Sequence, residues 1–199
     1  TNSTGVMMTT VAGNVQAIGY ISLGSLVDTV KAISVNGVEP TVENILAGDY
    51  VVSRPFNIAT LEDVSDTTQD FINYILSTEG QAIIEEEGYI PLQETTPYED
   101  NSVAGEITVG GSSSVSPVME LLIEAYNEIN PDVTITLQTQ DSSTGMSNAA
   151  SGVYDIGMAS REVKDEEIAQ GLVPTTIATD GIAVVVNNDN PTTDLTAEQ

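Results

Sequence analysis

In the second half of the chain, short runs rich in β-branched residues alternate with segments of helical spacing. The predicted strands are residues 106–110 (EITVG), 133–139 (VTITLQT), 155–160 (DIGMAS) and 175–187 (TTIATDGIAVVVN). Between the first two, Pro117 marks the start of a predicted helix, and Met119, Leu122, Ile123 and Tyr126 form its apolar stripe. Strands that alternate with helices predict a parallel sheet in an α/β sandwich.

The first half is less regular. Its predicted elements are a helix over 4–12, a strand over 17–23, a turn at Asn36-Gly37, a helical turn begun at Pro40 and closed by Gly48, a strand over 50–60, a helix capped by Ser65 or Asp66, and a helix over 79–87. Pro55 lies inside the strand over 50–60 and favours an edge or a crossing segment rather than the centre of a sheet. Residues 93–105 (QETTPYEDNSVAG) are polar and predict an exposed connector.

Composition excludes several classes of function. Thirty acidic residues against four basic ones give a formal net charge of -26, which repels the phosphates of nucleic acids, so nucleic acid is excluded as a partner. The chain has no Cys and no His, which removes disulfides, His-based triads and the usual zinc sites. We expect no metal and no cofactor. Paired carboxylates such as Glu85 and Glu87 could serve a hydrolase, but their spacing is typical of the polar face of a helix.

Two Ser- and Gly-rich loops follow predicted strands and lead directly into predicted helices. They span residues 110–116 (GGSSSVS) and 140–145 (QDSSTG). In an open α/β sheet, ligands bind beyond the carboxyl ends of the strands, where helix N-termini offer unpaired N–H groups. Small residues and hydroxyls at such corners predict a site for a compact tetrahedral anion. Serines before helices are also common as simple caps, so either loop alone is weak support.

The residues of these segments resemble a known family. GGSSSVSPVMELLIEAYNEINPDVTITLQTQDSSTGM, YDIGMASREVKDEE and IATDGIAVVVNNDNP resemble the N-terminal part of the PstS-like phosphate-binding proteins of phosphate ABC transporters. NSTGVMMTTVAGNVQAIGYISLGSLVDTVKAISVNGVEPTVENI, RPFNIAT and FINYILSTEGQAIIEEEGYIPL resemble the C-terminal part of that family. The family's tail therefore precedes its head here. This order indicates either a circular permutation or a fragment cut across two tandem copies.

The resemblance implies an α/β fold of the type II periplasmic-binding-protein class, with a mostly parallel sheet in one lobe and a truncated second lobe. The implied divisions are 1–50 as a remnant of the second lobe, 51–92 as the C-terminal part of the first lobe, 93–105 as the connector, 106–187 as the N-terminal part of the first lobe, and 188–199 as the start of the second lobe. The family's middle segment, with an Arg and a Ser-Gly-Thr-Arg stretch, has no counterpart in this sequence.

The resemblance also implies ligand contacts. The family's phosphate contacts in the first lobe fall on Ser113, Ser114 and Ser142. Its acidic contact, which accepts the proton of hydrogen phosphate, aligns near Ser160, where this chain has no carboxylate. Asp180 is a candidate substitute acceptor and Arg161 a candidate cation. A turn role for Asp180 and a surface ion pair for Arg161 are equally open.

The function implied is that of a non-enzymatic, extracytoplasmic solute-binding protein for inorganic phosphate, placed in the periplasm, at the cell surface or outside the cell. An intact homologue would deliver its ligand to an ABC transporter permease. The alternative is a structural or assembly protein that keeps the scaffold and is completed by self-association or by a tandem neighbour. Because the second lobe's phosphate contacts are missing from this sequence, this chain alone is expected to bind phosphate weakly or not at all.

Overall fold

The structure is a computed structural model and describes residues 4–198. Its helices are α1 (Thr4–Ala12), α2 (Val42–Leu46), α3 (Asp66–Leu76), α4 (Thr78–Glu86), α5 (Ser116–Ile129), α6 (Ser142–Ala150) and α7 (Asp165–Ile168). Its strands are β1 (Ile18–Ser22), β2 (Lys31–Val35), β3 (Ser53–Thr60), β4 (Gly105–Ser112), β5 (Val133–Gln140), β6 (Ile156–Ala159), β7 (Val173–Val186) and β8 (Asp194–Leu195). The α/β class predicted from the sequence is confirmed. Within the described residues, no helix has both the length and the apolarity needed to cross a bilayer.

The chain divides into two compact units. The larger unit holds residues 55–87 and 91–178, and the smaller one holds residues 1–54, 88–90 and 179–199. The smaller unit therefore takes up residues 179–187, which the sequence analysis had grouped with the first lobe. The assignment of these segments to lobes of the family stays a prediction.

The sheet of the larger unit has the strand order β5-β4-β6-β3, followed by β7. β4 runs parallel to both β5 and β6, as expected for strands joined through helices. β3 pairs antiparallel with β6 through residues 57–59, so the sheet is mixed rather than wholly parallel. The core of this unit includes the fully buried side chains of Phe56, Ile58, Phe71, Ile107, Met119 and Leu122.

The position of β3 corrects one expectation. Pro55 argues for an edge or a crossing segment rather than a central strand, yet β3 lies between β6 and β7 in the sheet. Proline is tolerated because the ladder with β6 begins only at Asn57, beyond the residue that lacks an N–H group.

Glycines let helix α6 lie directly on the sheet. A Cβ on Gly145 of α6 would come within 2.7 Å of the Gly111 Cα in β4, and a Cβ on Gly111 would come within 2.3 Å of the Met158 carbonyl oxygen in β6. Gly111 also has φ +139°, which a side chain rarely adopts. This close packing brings the first turn of α6 beside the end of β4.

The smaller unit is built on the second half of β7. That segment pairs antiparallel with β1 through Ile18–Ser22 and with β2 through Lys31–Ile33, and β2 pairs parallel with the short β8. Helix α1 covers one face of this sheet, where Val11, Ile21, Val30, Ala183 and Val185 form an apolar cluster. The Asn36-Gly37 turn is confirmed, with positive φ at both residues, as its sequence predicts.

Helix caps explain where several helices begin. The Ser65 side chain accepts a hydrogen bond from the Thr68 N–H group and caps α3, as predicted. Helix α6 is not capped by a serine of the 140–145 loop, although serines before helices are common as simple caps. The cap is Asp141, whose Oδ1 accepts from the Thr144 N–H group at 3.0 Å, so the serines that follow lie inside the first turn.

Residues 93–104 of the predicted connector lack helix and strand, and residue 105 already belongs to β4. The connector is mostly exposed, but it is anchored to the larger unit. The Tyr98 hydroxyl donates to Asp70 Oδ2 at 2.6 Å, and the Asn101 amide donates to Asp70 Oδ1 at 2.6 Å. The Tyr98 ring lies edge-on to Tyr74 at 5.2 Å between centroids. These contacts hold the middle of the connector against α3.

Candidate anion-binding site

Three strand ends meet at one edge of the larger unit. β4, β5 and β6 are parallel, so their carboxyl ends point the same way, and the register pairs Ser112 with Gln140 and Gly111 with Met158. Each strand is followed by a short loop with hydroxyl side chains. The structure thus brings the loop after β4, the first turn of α6 and the segment at Ser160 to one place, as the sequence predicts.

The loop after β4 uses some of its donors within the protein. The Ser113 N–H group donates to the Gln140 carbonyl oxygen at 2.9 Å, and the Ser114 N–H group donates to Ser112 Oγ at 3.3 Å. Ser116 is buried, and its hydroxyl donates to the Ser112 carbonyl oxygen. Ser112 and Ser116 therefore hold the loop in shape, while the side chains of Ser113 and Ser114 are half-buried at its surface.

The loop after β5 presents the N-terminus of α6. The Asp141 carboxylate accepts from the N–H group and the hydroxyl of Thr144, and these hydrogen bonds lower the pKa of Asp141. Ser142 is half-buried, and its Oγ accepts from the Ser160 N–H group at 3.2 Å. This contact joins the end of β6 to the first turn of α6, where N–H groups have no intrahelical partner.

Arg161 lies at the same edge and is held by an ion pair. Its Nη1 and Nη2 donate to the two carboxylate oxygens of Glu167 at 2.9 and 2.7 Å. The hydrogen bond from Arg161 holds the pKa of Glu167 below its ordinary value, and the same contact raises the pKa of Arg161. The ion pair that the sequence left open for Arg161 is therefore present, and it fixes a cation beside α6.

Asp180 belongs to the smaller unit, apart from the other candidates, and lies inside β7 rather than in a turn. Its Oδ1 accepts from the Ser22 hydroxyl at 2.6 Å, and its Oδ2 accepts from Arg54 Nε at 3.0 Å. The side chain is completely buried. Burial raises the pKa of Asp180, and the contacts with Ser22 and Arg54 offset only part of that effect. Both of its oxygens are thus engaged within this unit.

Sequence reasoning missed three residues that position these groups. Arg54 and Ser22 hold Asp180, and Asn57 donates from Nδ2 to the Arg161 carbonyl oxygen at 3.0 Å. A signal existed for Arg54, because a chain with four basic residues has few cations to pair with its acids. No sequence signal marks Asn57, whose contact with Arg161 joins residues far apart in the chain.

Comparison with known proteins supplies the family. Residues 96–199 match the family model described as a PBP superfamily domain. The phosphate-binding protein PstS 2 of Streptococcus agalactiae is 50% identical over 200 residues, which cover 100% of this chain and 68% of that protein. The chain belongs to the PstS family of phosphate-binding proteins. PstS 2 of Streptococcus pneumoniae is 46% identical over 95% of this chain and 65% of its own length.

A solved PstS-family structure agrees with the fold. The phosphate-binding protein of a phosphate ABC transporter from Streptococcus pneumoniae superposes with a TM-score of 0.81 at 44% identity, covering 98% of this chain and 76% of that one. The predicted periplasmic-binding-protein-like fold is therefore confirmed. These relatives are solute-binding proteins, and they do not favour the alternative of a structural or assembly protein. Glu85 and Glu87 are exposed at the end of α4, as expected for a solvated face.

The chain spans about two thirds of the length of its streptococcal PstS relatives. The names of those relatives assign phosphate binding to the whole proteins.

Proposed function

We propose that this chain binds inorganic phosphate at the edge formed by the carboxyl ends of β4, β5 and β6. The hydroxyls of Ser113, Ser114 and Ser142 and nearby backbone N–H groups donate to the phosphate oxygens. Ser160 and Arg161 border the same edge. Asp180 has a structural role in its own unit in this proposal.

The observation that carries the proposal is that two loops with serine hydroxyls, residues 110–116 and 140–145, lie together in this structure. The chain is also 50% identical to a phosphate-binding protein. The register pair Ser112–Gln140 and the hydrogen bond between Ser142 and Ser160 bring the corners together. A helix N-terminus favours negative charge through its dipole and its unpaired N–H groups. Direct hydrogen bonds act at about 3 Å, whereas distant surface carboxylates are screened beyond about 8 Å at physiological salt.

We infer that the segment order is a circular permutation. If this chain were cut from a protein with two tandem family domains, that protein would be more than twice as long as this chain, since each domain would also hold the middle segment. The S. agalactiae relative is too short for that, because this chain makes up 68% of it. Its match also runs over 200 residues, the whole length of this chain.

The whole protein is proposed to act outside the cytoplasm as the solute receptor of an ABC transporter, handing phosphate to a permease. The relatives support this role, since the S. pneumoniae structure is described as the phosphate-binding protein of a phosphate ABC transporter.

A phosphate titration followed by amide NMR spectra tests the binding site. We expect saturable shifts at Ser113, Ser114 and Ser142 with a dissociation constant weaker than about 1 μM, because this chain lacks the family's second set of contacts. Absence of any saturable shift would overturn the proposal for this chain. Binding tighter than about 1 μM would show that this chain already holds the full set of contacts.

Serine variants locate the contacts. Ser113→Ala and Ser142→Ala are each expected to weaken phosphate binding by about fivefold to tenfold, the effect of one lost hydrogen bond to a charged group. Ser147→Ala is the matched control, since Ser147 is exposed on the same helix away from its first turn. An equal loss in the control would remove the support for these contacts.

A further inference from the structure

Arg161 is the cation at the edge where the proposed phosphate site lies. The chain has four basic residues, and the other three bind other partners. Lys31 Nζ donates to the Asn190 carbonyl oxygen, Arg54 pairs with Asp180, and Lys164 pairs with Glu166. In a protein with a net charge of -26, a fixed cation beside the strand ends offers a small anion a local positive charge.

Two contacts fix where the guanidinium lies. The carboxylate of Glu167 holds it in a two-oxygen ion pair, which fixes the plane of the group. The backbone of Arg161 is fixed separately, since buried Asn57 donates to its carbonyl oxygen and accepts from the Thr176 hydroxyl at 2.7 Å. The guanidinium is therefore pre-positioned and does not need to be ordered when a ligand arrives.

One hydrogen bond of the guanidinium is weak and points at the first turn of α6. Arg161 Nη2 lies 3.4 Å from Ser143 Oγ, the longest of its four hydrogen bonds. Ser143 is exposed, and Ser142 precedes it in the same turn. An anion oxygen that accepts from both Nη2 and the Ser143 hydroxyl would replace this weak contact without disturbing the pair with Glu167.

Three carboxylates around Arg161 are engaged within the protein. Both oxygens of Glu167 accept from Arg161, and its Oε2 also accepts from the Lys164 N–H group. Both oxygens of Asp141 accept from Thr144. Glu166, the next charged group of α7, is exposed and paired with Lys164. The groups shown at the first turn of α6 are thus a cation, hydroxyls and backbone N–H groups, while Glu162 and Asp165 are exposed carboxylates of the next segment.

This donor set bears on which anions bind. A carboxylate facing the ligand accepts a hydrogen bond from the protonated oxygen of hydrogen phosphate and repels sulfate, which carries no proton. A guanidinium donates equally well to either dianion. We propose that Arg161 and Ser143 form the cationic side of the anion site, held by Glu167 and Asn57, and that this side accepts sulfate as well as hydrogen phosphate.

This inference rests on the proposed phosphate site. Competition between sulfate and phosphate for the full chain distinguishes a failure of this inference from a failure of the phosphate site. We expect inorganic sulfate to shift the same amide signals as phosphate and to compete with it, with dissociation constants within about tenfold of each other. Phosphate binding without sulfate binding would overturn this inference and leave the phosphate site standing. Binding of neither anion would overturn both.

Variants at position 161 test the role of the charge. Arg161→Ala is expected to weaken both anions by about tenfold or more, because a charge-assisted hydrogen bond is lost from each. Arg161→Asp is expected to weaken sulfate much more than phosphate, since only phosphate can donate to the new carboxylate. Lys164→Ala is the matched control: it removes one positive charge from an exposed side chain nearby. An equal loss in the control, or an unchanged ratio of the two anions in Arg161→Asp, would contradict the proposal.

Glu167 is a positioning residue, and its test needs a signal specific to the guanidinium. In the wild type we expect protected side-chain N–H signals of Arg161 that shift when sulfate or phosphate is added. Glu167→Gln is expected to lose this protection and to weaken both anions. Arg161 signals that do not respond to either anion would show that the ion pair serves only the fold.

Discussion

Each unit buries one aspartate, and the two are stabilised by different kinds of partner. In the smaller unit, Asp180 is completely buried and is paired with a formal cation, Arg54, whose Nε and Nη2 both lie 3.0 Å from its Oδ2. In the larger unit, Asp70 is 2% exposed and accepts from neutral donors, the hydroxyls of Tyr98 and Tyr126 and the amide of Asn101.

The two aspartates differ in how their buried charge is compensated and in which part of the chain they hold in place. At Asp180 the stabilisation depends on one cation, because the carboxylate is completely buried and its charge would be poorly compensated without Arg54. At Asp70 the stabilisation is shared among dipoles, and two of them, Tyr98 and Asn101, belong to the connector. Burial and the hydrogen bond to Asp70 raise the pKa of Tyr98 to about 12, so its hydroxyl stays a donor at any physiological pH. Asp70 therefore couples the connector to the fold.

The largest expected effect comes from breaking the charge pair. Asp180→Ala removes the buried carboxylate of this ion pair and is expected to lower the free energy of unfolding by about 3–5 kcal/mol. Urea unfolding followed by circular dichroism measures it. In the double variant Arg54→Met with Asp180→Leu, neither charge remains, and a loss below about 1.5 kcal/mol is expected. If the double variant is as unstable as the single one, packing rather than charge pairing accounts for the loss.

A smaller effect is expected at the other aspartate. Asp70→Asn keeps the shape but replaces one acceptor oxygen with a donor, so at least one of its three partners loses its hydrogen bond. We expect a loss of about 1–3 kcal/mol in the free energy of unfolding, and faster limited proteolysis within residues 93–104.

Asp63→Asn supplies the control for this variant, since it makes the same chemical change on an exposed side chain before α3. Cleavage of the connector at the wild-type rate in Asp70→Asn would show that Asp70 does not hold it.

The same contrast shows what the sequence could predict. Local patterns located most helices and strands, because a cap such as Ser65 or a turn such as Asn36-Gly37 depends on neighbours in the chain. They also placed the two serine-bearing corners at one sheet edge, since parallel strands joined through helices put their loops on the same side. The alternation of strands and helices predicted the α/β class, and the family resemblance added its periplasmic-binding-protein type.

The features of the fold that local patterns did not predict depend on contacts between residues far apart in the chain. Residues 93–105 look like a loose connector in sequence because nothing local reveals that Tyr98 and Asn101 reach Asp70. The partners of Asp180 lie 126 and 158 residues away, in Arg54 and Ser22. The place of β3 inside the sheet follows from pairing with β6 and overrides the local preference of Pro55.

The smallest effect expected is a pH dependence that belongs to Asp180. Its pKa is raised in the folded chain because burial disfavours the charged form. A raised acid pKa means that the folded state holds the proton to higher pH than the unfolded state does. The stability contributed is therefore fully present below the ordinary pKa of aspartate and is lost as the pH rises through the raised value. Urea unfolding of the wild type and of the Arg54→Met, Asp180→Leu double variant across that window measures it. The free energy of unfolding of the wild type should fall relative to the double variant as the pH rises; a relative increase would mean that Arg54 outweighs burial and lowers the pKa of Asp180.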